Sequence, residues 1–165
     1  MVVAVEHVPT GALYSLLVVL HVLSAVVGFG AVVLSGVEAG RARLGPAAPG
    51  ADSVRRYFRP GVNWAGRALY GVPVFGFGSL AASHGRWQVG DGFVVVGLVL
   101  WLLAAAAAEL VVWPAERRVQ AIVTNDWGEE RWMAELTRQC GRISSAAVLL
   151  AALFVVAVVV MVARP

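Results

Sequence analysis

Four long apolar stretches limit what this chain can fold into. They cover residues 12–35, 62–82, 93–113 and 143–163. An α-helix needs about 20 mostly apolar residues to cross the hydrocarbon core of a bilayer. Because each stretch has about that length, the sequence predicts an all-α fold. We expect one integral membrane domain, residues 1–165, built as a bundle of four transmembrane helices.

The composition excludes an ordinary water-soluble domain. Hydrophobic residues make up 59% of the chain and charged residues 14%, whereas soluble domains carry about 25% charged residues. A chain of 165 residues cannot hide so much apolar surface inside a water-facing globule, so membrane lipid must cover the rest. The single cysteine excludes an intramolecular disulfide and a cysteine-based metal cluster.

The arginines predict how the chain is oriented. All 13 basic residues are arginine; segments 36–61 and 114–142 hold five each, and the opposite side holds only Arg86 and Arg164. Cytoplasmic loops carry the excess of basic residues. We therefore expect a cell (inner) membrane protein with both termini outside and both arginine-rich segments in the cytoplasm. This distribution explains the basic pI without a nucleic-acid partner.

A helical hairpin is predicted between the third and fourth helices. The third helix is expected to continue past Pro114 to a turn at 124–128, from which a new helix runs into the fourth apolar stretch. The hairpin would protrude into the cytoplasm. Trp127, Trp132 and Met133 are then candidate anchors for a partner protein, since aromatic side chains dominate binding hot spots. The alternative is a solvated connector.

His21 is the most notable polar residue inside a predicted span. It lies about nine residues, or roughly 13 Å, from the outer end of its helix, near mid-membrane. Counting equal depths places Trp101 nearby and Tyr70 about one turn deeper. His21 is thus a candidate metal ligand or axial haem ligand, with Tyr70 and Trp101 as further cofactor contacts. The alternative is a neutral core histidine bonded to Tyr70 or to a backbone carbonyl.

Two opposite charges are predicted to meet on the arginine-rich side. Arg67 in the second stretch and Glu109 in the third lie at matching depths, which predicts a buried ion pair. Such a pair either fixes the helix register or belongs to an anion or proton site. Glu38 and Asn63 are expected near the same cytoplasmic mouth.

Short motifs also resemble a known family. They are Leu20-His21-Val22-Leu23-Ser24-Ala25 followed by Gly28 and Gly30, then Trp101 and Trp113-Pro114. They resemble small four-helix bacterial proteins described only as predicted integral membrane proteins of unknown function. The Leu-His start is also similar to the membrane domain of copper-resistance D-type proteins and to HemJ-type protoporphyrinogen oxidases. The second similarity implies haem binding through His21.

Three functions follow as hypotheses. The first, which we favour at this point, is a non-enzymatic membrane subunit or scaffold that recruits partners through the hairpin. The second is a haem- or quinone-associated redox protein using His21. The third is a small transporter or channel subunit using Arg67 and Glu109, which would need an oligomer because four helices enclose little space. No complete catalytic constellation is present. Expected partners are lipid and either further copies of the chain or a larger membrane complex.

Overall fold

The computed structural model describes residues 11–163, and this part of the chain is all-helical. The predicted position of the termini concerns residues 1–10 and 164–165, which lie outside the described part. The helices are α1 (Ala12–Ala42), α2 (Ala51–Tyr57), α3 (Trp64–Arg67), α4 (Gly71–Ala81), α5 (Gly92–Ala107), α6 (Trp113–Asn125) and α7 (Glu130–Ala163). A 3-10 turn, Ala68–Tyr70, joins α3 to α4, and a π-helical turn, Ala108–Val112, joins α5 to α6.

Within residues 11–163, three continuous helical segments are long and apolar enough to cross a membrane. They are Ala12–Ala42, Gly92–Asn125 and Glu130–Ala163. The all-helical prediction is confirmed, but the predicted four single helices are not. The second apolar stretch is α3 and α4 with the 3-10 turn between them, and α1 continues to Ala42, past its predicted end at residue 35.

Pro73 explains the interruption of the second stretch. A proline has no N–H, so it cannot bond to the carbonyl four residues before it. That carbonyl belongs to Leu69, which lies in the 3-10 turn. Trp101 of α5 supplies the missing donor, with its Nε1 2.9 Å from the Leu69 oxygen. The stretch begins at Trp64 rather than at residue 62 because the Asn63 side chain caps it.

The α3–α4 stretch packs very closely against α1. A Cβ on Gly28 would lie 2.5 Å from the Leu69 nitrogen, and one on Gly71 would lie 2.5 Å from the Ser24 hydroxyl oxygen. Small residues let membrane helices approach to this degree. The contacts move toward the start of α1 as the second stretch proceeds, so the two run antiparallel.

The bundle is packed unevenly along its length. In α1 burial begins at Gly28, in α5 it begins at Ala104, in α7 it ends at Leu150, and α4 has no buried residue. We call the remaining parts of these helices the open half; it comprises residues 12–27, 71–81, 92–103 and 151–163. The other half, which carries the arginine-rich segments, we call the packed half.

The predicted hairpin is present but does not stand free. α6 and α7 are joined by a short turn in which Gly128 has a positive φ of 101°. Both helices belong to a buried cluster with the end of α1 and with α2, so the hairpin forms part of the packed half. The cluster consists of Ala39, Ala42, Val54, Phe58, Ala115, Val119, Ile122, Val123, Leu136, Cys140 and Ile143.

Candidate functional site

The open half contains a half-open cavity of about 470 Å³. Its walls come from α1, α4, α5 and α7 and are mostly apolar. Small-molecule sites have this character, since they measure about 300–1,000 Å³ and combine apolar walls with a few polar groups. The polar and aromatic members of the lining include Tyr14, His21, Ser79, Trp87, Trp101 and Phe154.

His21 is held in a defined orientation within this cavity. Its Nδ1 lies 2.7 Å from the carbonyl oxygen of Val72. Because a carbonyl can only accept, Nδ1 carries the hydrogen. In the neutral ring, Nε2 then keeps its lone pair and can accept a hydrogen bond or bind a metal. Gly76 makes this position possible, since a Cβ there would lie 3.0 Å from Nδ1.

The two predicted companions of His21 occupy different places. Trp101 lines the same cavity, but its Nε1 is bonded to Leu69, so it offers only its ring. Tyr70 is not part of the lining; its hydroxyl donates to Glu109, and its ring packs edge-on to Trp101 at 6.4 Å. The predicted role of Tyr70 as a cofactor contact stays a prediction, and Tyr70 does not line this cavity.

Arg67 and Glu109 meet, as matching depths predicted, but they are not buried. Arg67 Nη1 lies 3.2 Å from Glu109 Oε1, and the side chains are 28% and 49% exposed. Ala108 and Val112 of the π-helical turn face the core, so Glu109 points away from it. The Arg67 guanidinium lies over the Trp113 ring, 3.5 Å from its centre, and this stacking keeps the pair on the protein surface.

A second polar centre lies in the packed half. Ser35 Oγ and the Tyr57 hydroxyl oxygen are 2.5 Å apart. Asn63 Nδ2 donates to Glu116 Oε1 at 3.2 Å and to the Tyr57 oxygen at 3.4 Å. Together with Glu38, these residues form what we call the polar cluster. It joins α1, α2, the start of α3, and α6.

Both carboxylates of the polar cluster are buried, but only one has a charged partner in contact. Glu38 is 3% exposed and its Oε1 accepts from Arg41 Nη1 at 2.6 Å. Its Oε2 is buried and has no hydrogen-bond partner among the described residues. Glu116 is 4% exposed and accepts from the neutral Asn63. Burial raises the pKa of the Tyr57 hydroxyl, and the nearby charges of Glu116 and Glu38 add to the rise.

Sequence reasoning found only part of this cluster. Glu38 and Asn63 were expected beside the Arg67–Glu109 pair, but their bonds go to other residues of the packed half. Glu116 and Tyr57 were not identified as site residues. One signal was available, because on a regular helix Glu116, two turns after Glu109, would lie on the same side; the structure instead buries Glu116 and exposes Glu109. Nothing in the sequence indicates where α2 places Tyr57.

The predicted docking anchors are mostly used inside the protein. Trp127 Nε1 donates to the Ala42 carbonyl at 3.3 Å. Trp127 and Met133 are partly buried against the cluster that joins α6 and α7 to α1. Trp132 remains accessible, with 38% of its surface exposed.

Comparison with protein families gives one finding. The family model described as "Predicted integral membrane protein (DUF2269)" matches residues 15–165. Comparison with curated proteins and with solved structures gave no match. The similarity to copper-resistance D-type and HemJ-type proteins is not shown and stays a prediction.

Proposed function

Because this chain belongs to the DUF2269 family of predicted integral membrane proteins, we propose that it crosses the membrane four times. The interrupted stretch Trp64–Ala81 is the second crossing. At 1.5 Å per α-helical and 2.0 Å per 3-10 residue it is about 28 Å long, close to the roughly 30 Å of a hydrocarbon core. It contacts α1 at Ser24 and Gly28, which supports placing this stretch at the same depth in the membrane as α1.

The orientation follows the arginines, with the packed half toward the cytoplasm and the open half toward the outside of the cell (inner) membrane. A reporter enzyme that works only outside the cytoplasm should be active when fused after Pro165 and inactive when fused at Gly128. A reporter that works only in the cytoplasm should give the reverse result. Cytoplasmic activity at Pro165 would refute the orientation.

We propose that the protein binds a hydrophobic molecule from the membrane in the cavity of the open half. The cavity itself carries this proposal. Protein interiors are normally packed as densely as organic crystals, yet a volume of about 470 Å³ lies among four helices. The walls are mostly apolar and the cavity is half open, so an apolar molecule from the membrane can enter it and bury its own apolar surface there.

The chemistry of His21 supports a quinol as the class of occupant. A quinol has an apolar ring and tail and a phenolic hydroxyl that can donate to the free lone pair of Nε2. Haem iron could use the same lone pair. Haem also brings carboxylates, and no arginine lines the described cavity, so these charges would lack a partner there. The quinol is the better fit to these residues.

Quinol binding can be measured on the full chain purified in detergent. Tryptophan fluorescence would follow titration with a short-chain quinol, because Trp87 and Trp101 line the cavity. We expect His21→Ala to weaken binding by up to about tenfold, the equivalent of one lost hydrogen bond. The matched control is His84→Asn; His84 is not in the lining, and asparagine tolerates its positive φ of 53°.

Two results would count against this function. Equal quinol affinity in the wild type and in His21→Ala would show that His21 does not bind the quinol. A Soret absorption band in the purified protein that disappears in His21→Ala would identify the occupant as haem. Quantification of quinones extracted from the purified protein provides an independent check, with an expected ratio near one per chain.

The two other predicted functions have less support. A scaffold would need free anchors on the hairpin, but Trp127 bonds to Ala42 and both Trp127 and Met133 are partly buried, which leaves Trp132 as the exposed anchor. A transporter would need a charged group available to a solute, but Arg67 and Glu109 pair with each other.

A further inference from the structure

We propose that the Arg67–Glu109 pair binds the headgroup of a phospholipid that carries a primary amine, such as phosphatidylethanolamine. The surface around the pair is largely apolar. Leu103 and Leu110, on the same helical segment as Glu109, are exposed, and so is Trp64, which lines an open groove together with Arg67. In a membrane, exposed apolar side chains of this kind face lipid. The ion pair therefore lies where a lipid molecule can contact it.

The depth of the pair suits a headgroup. Glu109 lies four residues before the end of the third predicted crossing at residue 113, about 6 Å at 1.5 Å per residue. Trp64 shares the groove of Arg67, and Trp113 lies under the Arg67 guanidinium. Tryptophan is enriched where the membrane meets water. This placement rests on the proposed four crossings and does not depend on the quinol.

Both members of the pair keep hydrogen-bonding capacity. Arg67 Nη1 donates to Glu109 Oε1 at 3.2 Å, and the Tyr70 hydroxyl donates to the same oxygen. Oε2 of Glu109 takes part in neither of these bonds. An arginine side chain has five N–H donors, and the bond to Glu109 uses one of them. A phosphate and an ammonium group could thus bind side by side while the pair stays intact.

The charge balance of the pair favours a headgroup that carries both charges. Arg67 and Glu109 neutralise each other, so neither a lone anion nor a lone cation finds an unbalanced charge here. An ethanolamine headgroup is also neutral as a whole, with its phosphate against Arg67 and its ammonium against Glu109. Both contacts are charge-assisted hydrogen bonds. A choline headgroup has the same charges but no N–H, so it cannot donate to Glu109.

The site can be tested through lipid-specific stabilisation of the full chain in detergent. Thermal unfolding would be followed in micelles that contain equal mole fractions of phosphatidylethanolamine or phosphatidylcholine with identical acyl chains. At a tenfold excess over the dissociation constant, we expect phosphatidylethanolamine to raise the Tm by about 3–6 °C over phosphatidylcholine. Glu109→Gln should abolish this difference. The control Glu129→Gln changes an exposed carboxylate that pairs with Arg131, and it should keep the difference.

Several outcomes would overturn the proposal. They are equal Tm values in the two lipids, a difference that persists in Glu109→Gln, and a larger rise with phosphatidylglycerol, which has no amine. A dimer in micelles that dissociates in Glu109→Gln would show that a second copy of the chain covers the pair, and would also overturn it. A failed quinol titration has no bearing on this test, because neither Arg67 nor Glu109 lines the cavity of the open half.

The wild-type protein alone gives a second test, which applies even if Glu109→Gln fails to fold. Successive N-methylation of the ethanolamine headgroup removes its N–H donors one at a time while the charge stays the same. The rise in Tm should decline along this series and be lost with the trimethylated lipid, phosphatidylcholine. A Tm that does not respond to methylation would refute the contact between the ammonium and Glu109.

Discussion

Alanine at Gly28 is expected to destabilise the protein by forcing α1 away from the α3–α4 stretch. The new Cβ would lie 2.5 Å from the Leu69 nitrogen and 2.8 Å from its Cα. These are backbone atoms, so no flexible side chain can give way. Overpacking of a dense core typically costs about 1–3 kcal/mol. In a chain of this size that corresponds to a loss of roughly 2–12 °C in Tm.

Gly30 provides the matched control within the same helix. A Cβ on Gly30 would meet nothing within 4 Å, and alanine favours a helix over glycine by about 0.5–1 kcal/mol. Gly30→Ala should therefore leave the Tm unchanged or raise it slightly. The measurement is thermal unfolding in detergent, followed by tryptophan fluorescence.

The comparison of the two variants is decisive for the second crossing. If Gly28→Ala is as stable as Gly30→Ala, the Leu69 backbone does not lie against α1. The proposal that residues 64–81 cross the membrane beside α1 would then lose its main support. An equal loss of stability in both variants would also contradict the prediction. It would show that alanine disturbs α1 itself and not its contact with the Leu69 backbone.

Three further outcomes are expected. Arg67→Glu and Glu109→Arg should each lower the Tm, and the double variant should regain part of the loss. Each single loss should be smaller than the roughly 3–5 kcal/mol of a fully buried pair, because Glu109 is half exposed. A double variant that regains nothing would exclude the pairing. Trp101→Phe removes the indole donor to the Leu69 carbonyl, which still accepts from the Gly71 N–H. The loss should cost about 0.5–1.5 kcal/mol, measured by thermal unfolding; an unchanged Tm would show that the bond does not matter. Burial raises the pKa of Tyr57 above its ordinary value of 10.0, so the folded state holds that proton more tightly than the unfolded state. The free energy of unfolding should therefore fall as the pH rises through and above about 10. The fall should be smaller in Tyr57→Phe, and identical pH profiles of the wild type and this variant would refute the prediction.

The sequence alone predicted what depends on position along a helix. Arg67 and Glu109 could be matched because residue number converts directly into depth at 1.5 Å per residue. The same counting placed His21 and Trp101 on one level, and both line one cavity. Depth does not determine the direction in which a side chain points around the helix axis. For that reason the exposure of Glu109 and the displacement of Tyr70 were not predicted.

The polar cluster could not be predicted because its members come together through irregular segments. Tyr57 reaches Ser35 only through the position of α2, which depends on the loop that follows α1. Asn63 reaches Glu116 because it caps α3 at the start of the α3–α4 stretch. Hydrophobic periodicity describes helices, and it contains no information about how a loop of some twenty residues folds back onto them.

The uneven packing gives the molecule a rigid end and a compliant end. Around Ala147 and Leu150 buried side chains fill the space between the helices. Beyond them α1, α4, α5 and α7 line the cavity, with α1 and α4 still in close contact at Gly76 and Gly78. Outward bending of α5 and α7 at this end would therefore break few buried contacts, like tweezers opening about a fixed base. In the proposed orientation, a guest molecule would enter sideways from the outer half of the membrane while the packed half keeps its shape. Amide hydrogen exchange should register this difference as fast exchange near Gly97 and slow exchange near Val119.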